Sequence, residues 1–390
     1  MIKMKILENN ISAPQGFTAL GKRVGIKSSG KLDMAVIFSE KKASAAAVYT
    51  KNKVKGAPLI VTKEHLKDNK AQAIIINSGV ANVCTGKKGI EDAREMAKAL
   101  SSELGISKED VLVSSTGLIG AFLPMDRILK GIKGVKKELS KDSKAAEAIL
   151  TTDSAIKEIA IKVNNFTIGA IAKGSGMVHP DMATMLCFIT TDAEIAPTKL
   201  KKFLKNSVDK SFNMTSVDMD TSTSDMAVIM ANGVAGKVNQ IDFQKALDHV
   251  CMHLAREIAR DGEGATKLVE VNAVNAKTED DARKAAKAVI SSNLVKCALF
   301  GNDPNWGRIL CAIGNSGANF DEGNIDIYFG SHKIVSNGTS TGFSRHEVKG
   351  EMAKKELVIK IDMKQGKHGA KAFGCDMSID YIKINALYTT

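Results

Sequence analysis

The stretch Lys173-Gly-Ser-Gly-Met-Val-His-Pro-Asp-Met-Ala-Thr-Met-Leu186 lies close to the middle of the 390-residue chain. Its glycines and proline predict a loop, and the apolar run from Met182 to Ile189 predicts a buried strand. The loop would therefore deliver Thr184 to the start of a strand. A threonine hydroxyl is a poor nucleophile unless a base is adjacent, and cleavage just before the threonine would supply its own α-amine as that base. Such an amine has a reference pKa of about 7.7 to 8.0.

An ordinary turn followed by a strand explains the same residues on composition alone, because β-branched residues are common in strands. The long motif Lys-Gly-Ser-Gly-Met-(Ile/Val)-His-Pro-x-Met-Ala-Thr-Met-Leu resembles the processing segment of the ArgJ-type ornithine acetyltransferases, which are glutamate N-acetyltransferases of arginine biosynthesis. The resemblance implies self-cleavage between Ala183 and Thr184 into an α chain, residues 1–183, and a β chain, residues 184–390. It also implies that Thr184 becomes the nucleophile that carries the acetyl group.

Other segments of the chain resemble the same family. They are Thr50 with Asn52, Ala57-Pro58, Asn77–Asn82, Thr116-Gly117, Ile149–Asp153, Ser216–Asp225, Gly301–Arg308 and the end of the chain from Gly374 to Thr390. The residues that depart from the family pattern are Tyr49, Val80, Met219, Ser224, Phe373 and Leu387. The resemblance is therefore not confined to the central stretch.

Three further positions suit acyl transfer. A tight Thr116-Gly117 corner after a strand can aim a hydroxyl and a backbone N–H into a pocket, as an oxyanion hole requires, although on sequence alone it is simply a turn. Lys173 can hold a carboxylate, and Glu263, on a loop between two glycines, can receive an amine. By resemblance, Thr116 and Gly117 stabilise the oxyanion.

The resemblance also implies a set of substrate-binding residues. They are Thr151, Lys173, Thr184, Glu263, Asn385 and Thr390. Either Thr151 or Thr152 could make the threonine contact, and His179 is given no settled role.

Periodic apolar runs predict an α/β protein. Short runs at Met34–Phe38, Ala45–Thr50 and Leu59–Thr62 predict antiparallel strands, whereas an apolar stripe over Phe243–Arg260 predicts a long helix ending before Gly262. The resemblance implies a layered αββα, Ntn-hydrolase-like fold of the DmpA and ornithine acetyltransferase type, which periodicity alone does not show.

Composition narrows the functional class. The formal net charge is +12, but the lysines are scattered and no arginine-rich run accompanies them, which favours solvated helix faces over a nucleic-acid interface. A positive field also attracts anionic substrates such as glutamate. The six cysteines show no C-x-x-C spacing, which predicts reduced thiols and neither a disulfide scaffold nor a zinc site.

Neither a signal peptide nor a membrane helix is predicted, so we expect a cytoplasmic protein with no membrane partner and no nucleic-acid partner. The aspartates of Ser216–Asp225 lack EF-hand spacing, which predicts a polar loop bordering the active site; no metal and no cofactor is predicted. The resemblance implies α and β chains that associate into a heterotetramer.

The predicted activity is acetyl transfer from N-acetylornithine to glutamate by a ping-pong mechanism through an acetyl-threonine ester. Some members of the family also accept acetyl-coenzyme A (acetyl-CoA), and no residue of this sequence decides that point. One alternative is an aminopeptidase or amidase that uses the same N-terminal threonine and transfers the acyl group to water. A basic nucleic-acid-binding protein is the second alternative.

Overall fold

The computed structural model describes residues 3–8, 10–141, 143–179 and 185–387. The strands within them are β1 Met4–Leu7, β2 Phe17–Lys22, β3 Met34–Tyr49, β4 Lys70–Val80, β5 Val111–Leu118, β6 Lys157–Val163, β7 Phe166–Lys173, β8 Leu186–Thr191, β9 Thr215–Ser216, β10 Met226–Ala231, β11 Leu268–Ala276, β12 Asp326–Phe329, β13 His332–Ser336, β14 Thr339–Ser340, β15 Glu356–Asp362 and β16 His368–Cys375. The helices are α1 Ala57–His65, α2 Gly86–Leu104, α3 Met125–Ile132, α4 Val135–Glu138, α5 Ala145–Ala148, α6 Pro197–Lys210, α7 Gln240–Arg260, α8 Glu279–Ser291, α9 Asn293–Phe300, α10 Trp306–Gly314, α11 Arg345–Met352 and α12 Ile379–Leu387.

The larger sheet has the order β1-β6-β7-β8-β10-β3-β4-β5, with β2 paired to β3. Alternate residues of its two halves, β2 to β5 on one side and β7, β8 and β10 on the other, meet in one apolar layer that includes Ile74, Ile76, Phe188 and Val228. Because successive strand residues point to opposite faces, the intervening residues of β4 and β5 pack against α2 and α3. Those of β7, β8 and β10 pack against α6 and α7. The layers are therefore helix, sheet, sheet, helix, and the predicted αββα arrangement is confirmed.

The second sheet has the order β14-β13-β12-β15-β11-β16-β9. One face is buried against α8, α10 and α11. The helix α7 contributes to the core of the first sheet and also contacts β16 and β11. The loop that follows α7 and the loop that precedes α12 both lie near the first sheet, where the candidate site is found.

Several sequence-predicted elements differ in the structure. The runs Met34–Phe38 and Ala45–Thr50 belong to one strand, β3, whose register shifts between Phe38 and Ala43. Leu59–Thr62 lies in helix α1 instead of a strand, because Ala57 and Pro58 begin a helix in which Leu59, Val61 and Thr62 are buried.

The long helix α7 is present and ends at Arg260, as predicted. Gly262, two residues later, does not adopt a left-handed conformation. A Cβ at Gly262 would lie 2.7 Å from Cys375 Sγ, so close packing, and not backbone conformation, explains this glycine.

Candidate active site

A small polar cavity of about 180 Å³ lies where the ends of β5 and β7 meet the loop before β10, the loop after α7 and the helix α12. Its walls include Thr116, Gly117, Thr151, Thr152, Lys173, Gly176, Ser222, Thr223, Ser224, Glu263 and Asn385. Every sequence-predicted site residue that the structure describes is in this set. The other three, Ala183, Thr184 and Thr390, lie outside the described residues.

The corner at Thr116 and Gly117 depends on two facing glycines. Gly117 of β5 is the direct partner of Gly79 of the parallel strand β4, and both have positive φ, 127° and 110°. A Cβ on Gly117 would lie 2.3 Å from the carbonyl carbon of Gly79. Thr116 and Gly117 line the cavity as residues of β5 itself. The sequence-based prediction that they form a separate turn after the strand is therefore wrong.

Lys173 is the cation of the cavity and is 9% exposed. Its Nζ donates to Thr151 Oγ1 at 2.6 Å and to Thr116 Oγ1 at 3.5 Å. The Asp153 Oδ2 atom lies 3.8 Å from the same nitrogen. The two threonines therefore hold the ammonium group at the cavity wall, while Asp153 supplies a buried counter-charge.

A buried ion cluster supports this wall from behind. Lys157, 1% exposed, donates to Asp153 at 2.8 Å and to Asp261 at 2.5 Å. Asp153 also accepts from the backbone N–H of Thr151 at 3.0 Å and of Gly174 at 2.7 Å. Burial alone would raise the pKa of Asp153, but Lys173, Lys157 and these hydrogen bonds bring it well below its ordinary value. Asp153 is therefore ionised at neutral pH and supplies a fixed negative charge to the cluster.

Glu263 is the carboxylate of the cavity. Its backbone N–H donates to the Ser175 carbonyl at 2.9 Å, and Asn385 Nδ2 donates to its Oε2 at 2.9 Å. A Cβ on Gly176 would lie 2.3 Å from the Glu263 carboxyl carbon, so any side chain at position 176 would displace this carboxylate. Opposite charges, those of Lys173 and Glu263, thus line one cavity.

Both candidate threonines line the cavity, with different partners. Thr151 accepts from Lys173, whereas Thr152 Oγ1 and Ser175 Oγ lie 2.7 Å apart in a hydrogen bond. Each hydroxyl thus has one partner in the protein, and both side chains line the cavity in which a substrate would bind.

The polar loop before β10 is fixed by the early segment that resembled the family. Thr50 donates through Oγ1 to the Ser222 carbonyl at 2.8 Å, and Asn52 Nδ2 donates to the Thr221 carbonyl at 2.8 Å. The loop ends at Asp225, which is fully buried, and burial raises its carboxyl pKa well above the ordinary value. Its Oδ2 has no hydrogen-bond partner among the described residues.

The central stretch begins and ends on neighbouring strands. Lys173 at the end of β7 is the antiparallel partner of Leu186 at the start of β8. Met185, which follows Thr184 in the chain, is 4% exposed, and its carbonyl accepts from the Met226 backbone N–H at 3.0 Å. The predicted buried strand is therefore confirmed from Leu186 onward.

Two residues near the cavity were missed as site residues by sequence reasoning. The first is Lys157, whose partner Asp261 is 104 positions away in the chain. The second is Lys27, whose Nζ donates to the Leu32 and Leu150 carbonyls, both at 2.7 Å. Burial, opposed by Asp33 and assisted by Lys173, lowers the Lys27 pKa to about 8. No local motif marks either lysine, because the contacts Lys157–Asp261 and Lys27–Leu150 join residues more than 100 positions apart in the chain.

Two sequence features lie beside the cavity without lining it. The His179 Nδ1 and Ser216 Oγ atoms are 3.0 Å apart in a hydrogen bond, and His179 borders a neighbouring cavity. The family-like motif Gly301–Arg308 leads into α10, and its Arg308 also borders that neighbouring cavity.

The described residues contain neither a membrane-spanning helix nor a cluster of metal ligands. None of their helices has both the length and the apolar character needed to cross a membrane. Within the same residues, His, Cys, Asp and Glu side chains form no group of three or more that could hold a metal ion.

The layered fold and the cavity define an α/β protein whose small site contains one lysine and one glutamate, of opposite charge, close to the start of a strand. A model of the ArgJ family matches residues 18–390, and the chain belongs to the ArgJ family. The arginine biosynthesis bifunctional protein ArgJ of Caldanaerobacter subterraneus subsp. tengcongensis is 52% identical, with 99% of this chain and 100% of the relative covered. The protein of that name from Symbiobacterium thermophilum is 46% identical, and the match covers 99% of this chain and 100% of the relative.

A solved structure agrees with this assignment. The crystal structure of ArgJ from Bacillus halodurans is 41% identical, with a TM-score of 0.50. The match covers 51% of this chain and 97% of the solved chain. That solved chain is therefore about half as long as the present one.

Proposed function

We propose that this enzyme of arginine biosynthesis transfers an acetyl group from N-acetylornithine to glutamate and uses Thr184 as the acetyl carrier. The observation that carries the proposal is that Thr116, Gly117, Thr151, Lys173, Glu263 and Asn385 all line one cavity of about 180 Å³. A lysine and a glutamate in one small cavity suit the carboxylate and the amine of an amino acid.

The first chemical step is self-processing. In the intact chain, Thr184 Oγ attacks the Ala183 carbonyl carbon, the hydroxyl proton passes to the departing Thr184 nitrogen, and an ester replaces the peptide bond. The Thr116 hydroxyl and a backbone N–H at Gly117 stabilise the negative charge on the carbonyl oxygen, and each such donor is typically worth about 2.7 to 4 kcal/mol. Water then hydrolyses the ester and leaves Thr184 with a free α-amine.

Transfer follows in two half-reactions. The α-amine accepts the Thr184 hydroxyl proton while Oγ attacks the acetyl carbon of N-acetylornithine; the amide bond breaks and ornithine leaves with that proton. The amine of glutamate then attacks the acetyl-threonine ester, which gives N-acetylglutamate and regenerates the hydroxyl. We assign Lys173 to the α-carboxylate common to both amino acids. Thr151, Glu263, Asn385 and Thr390 bind the remaining polar groups.

Two findings support cleavage between Ala183 and Thr184, which would give chains 1–183 and 184–390. A solved ArgJ chain is about half as long as this one. The described chain resumes at the buried Met185 and enters β8 opposite Lys173. Position 184 is therefore two residues before the first residue of β8, Leu186, which is the antiparallel partner of the cavity lysine Lys173.

The assembly and the compartment complete the proposal. We assign the two cleaved chains to a heterotetramer of two α and two β chains, and the enzyme to the cytoplasm, where both amino-acid substrates are available. Sedimentation of the purified protein tests the assembly, and a species with one α and one β chain only would overturn it.

The activity test follows acetyl transfer in purified protein. Wild-type protein mixed with N-acetylornithine and glutamate should form ornithine and N-acetylglutamate in equal amounts, with parallel lines in double-reciprocal plots because the mechanism is ping-pong. Thr184→Ala should be inactive. Release of ornithine with formation of acetate, independent of glutamate, would instead support the amidase alternative.

A further inference from the structure

A second, larger cavity lies next to the candidate active site. It measures about 870 Å³ and opens between the end of α8, the start of α9 and the helix α10. Its walls include His179, Met219, Lys284, Lys287, Ser291, Ser292, Asn293, Leu294, Arg308, Cys311, Asn315 and Ser316. We name it the cationic cavity. Its volume lies within the range of sites for drug-sized ligands and exceeds what a single amino acid fills.

The charges on its walls have one sign. Lys284, Lys287 and Arg308 line the cavity, and no carboxylate does so among the described residues. Asp280 pairs with Lys284 at 2.6 Å but is not part of these walls. Arg308 donates one N–H to the Leu294 carbonyl at 2.8 Å, which leaves further guanidinium donors in the fork. Three cations on these walls, with no carboxylate among the described lining residues, favour an anionic ligand.

Two polar features add to this preference. Ser291 is 5% exposed, and its hydroxyl has no hydrogen-bond partner within the part of the chain that the structure describes. The first residues of the eight-residue helix α9, Asn293 and Leu294, also line the cavity. The N-terminal end of a helix presents backbone N–H groups and a partial positive charge, both of which favour phosphate groups.

The cationic cavity shares a wall with the active-site cavity. Val178 and Thr221 form an isolated β-bridge, and Thr221 Oγ1 donates to the His179 carbonyl at 2.9 Å. Met177 and Ser222 of these two bridged segments line the active-site cavity, whereas His179 and Met219 line the cationic cavity. Among the described residues, these two segments separate the cationic cavity from the active-site cavity.

We propose that the cationic cavity binds the phosphate groups of a phosphorylated small molecule. Two sources have this chemistry: a coenzyme A thioester that donates its acyl group in the neighbouring active site, and a free phosphorylated regulator. The donor case rests on the proposed function. There, the Thr184 Oγ–acyl bond forms as the thioester C–S bond breaks, and the hydroxyl proton passes through the α-amine to the leaving thiolate.

Binding is tested with coenzyme A and with inorganic diphosphate as probes, by titration calorimetry on the purified full-length gene product. The double variant Lys284→Ala/Lys287→Ala should weaken both probes at least tenfold. The single variant Lys284→Glu, at an exposed position, provides a second reading if the double variant does not fold. Lys349→Ala, at an exposed position of α11, is the matched control and should bind like wild type. Absence of binding to wild type, or equal binding to all variants, would overturn the proposal.

Kinetics distinguish the two sources. For a donor, KM for acetyl-CoA in glutamate acetylation should rise at least tenfold in Lys284→Ala/Lys287→Ala, with N-acetylornithine-dependent transfer within twofold of wild type. For a regulator, the probes should bind and change the rate of N-acetylornithine-dependent transfer, whereas acetyl-CoA should not donate its acetyl group to glutamate. If the wild-type protein binds the probes but does not transfer acetyl from N-acetylornithine, the result contradicts the proposed function. It does not contradict ligand binding in the cationic cavity.

Discussion

At the scale of single residues, Gly117 is the most constrained position of the site. Its φ of 127° is unfavourable for a side chain, and an added Cβ would lie 2.3 Å from the Gly79 backbone. Gly117→Ala should therefore lower the free energy of unfolding by more than the roughly 1–3 kcal/mol of backbone strain alone, and should abolish acetyl transfer. Thermal and urea unfolding measure the first effect, and the transfer assay measures the second.

The matched control for this substitution is Gly350→Ala. Gly350 lies within α11, and an added Cβ there meets nothing within 4 Å. Alanine is favoured over glycine inside a helix by about 0.5–1 kcal/mol, so this variant should be slightly more stable than wild type. Equal stability of Gly117→Ala and Gly350→Ala would contradict the facing-glycine explanation.

Lys173 allows a separate residue-scale prediction, because its neighbours stay satisfied without it. Asp153 keeps Lys157 and two backbone donors when Lys173 is replaced. Lys173→Gln should thus fold, while kcat/KM for N-acetylornithine and for glutamate falls roughly 10- to 100-fold, the loss expected for a hydrogen bond between charged groups. Lys202→Gln, on the exposed face of α6, is the control. Unchanged kinetics in Lys173→Gln would remove the assigned carboxylate contact.

Sequence reasoning reached the six described site residues because each lies in a motif that resembles the family. It could not reach the interactions among them. The Thr151–Lys173 and Glu263–Asn385 hydrogen bonds join residues 22 and 122 positions apart. Likewise, the role of Lys157 depends on Asp261, which only the packing of α7 beside β6 brings close.

At the scale of elements, the buried cluster of Asp153, Lys157 and Asp261 joins the start of β6 to the end of α7. Asp153→Asn removes the carboxylate that faces both Lys173 and Lys157 and leaves Lys157 with Asp261. The free energy of unfolding at pH 7 should therefore fall by about 3–5 kcal/mol. Urea denaturation measures the change. A loss below about 1 kcal/mol would show that the cluster is not what fixes the cavity wall.

The same carboxylate predicts a pH dependence. The Asp153 pKa is lowered in the folded protein relative to the unfolded chain. Its stabilising contribution is therefore complete above the unfolded pKa of about 3.9 and is lost as the pH falls below that value. Wild-type protein should lose more stability between pH 5 and pH 3 than Asp153→Asn does. Parallel acid-unfolding curves would contradict this assignment.

Helix α12 is a weakly anchored element that carries Asn385. None of its residues is buried, and it is fixed near its start by Gly264, where an added Cβ would lie 2.4 Å from the Tyr381 backbone nitrogen. Gly264→Ala should displace α12, raise KM for both amino acids and leave the global unfolding temperature nearly unchanged. Hydrogen exchange should report faster opening of α12 alone, and slow exchange with normal KM would contradict this view.

Element types were predictable where periodicity extended over several turns, as in α7. Short apolar runs were ambiguous, since Leu59–Thr62 is compatible with either a strand or a buried helix turn. Pro58 at the start of that run was the available signal for a helix. The register shift within β3 left no comparable mark in the sequence.

At the scale of the whole molecule, helix α7 packs against the larger sheet and also contacts the second sheet. The candidate site lies where loops from both parts come together. The αββα layering followed from the family resemblance, because strand periodicity specifies which face is buried and not what covers it. The cationic cavity had no sequence signal, since its lysines and arginine come from α8 and α10 and look like ordinary solvated charges.

The central claim is that Thr184 becomes an N-terminal nucleophile, and intact-protein mass spectrometry of the purified chain beside Thr184→Ala tests it most directly. We predict two fragments from wild type, residues 1–183 and 184–390, and one uncut chain from the variant. A single uncut chain from folded wild-type protein would remove the α-amine that serves as the base and would contradict the proposed mechanism.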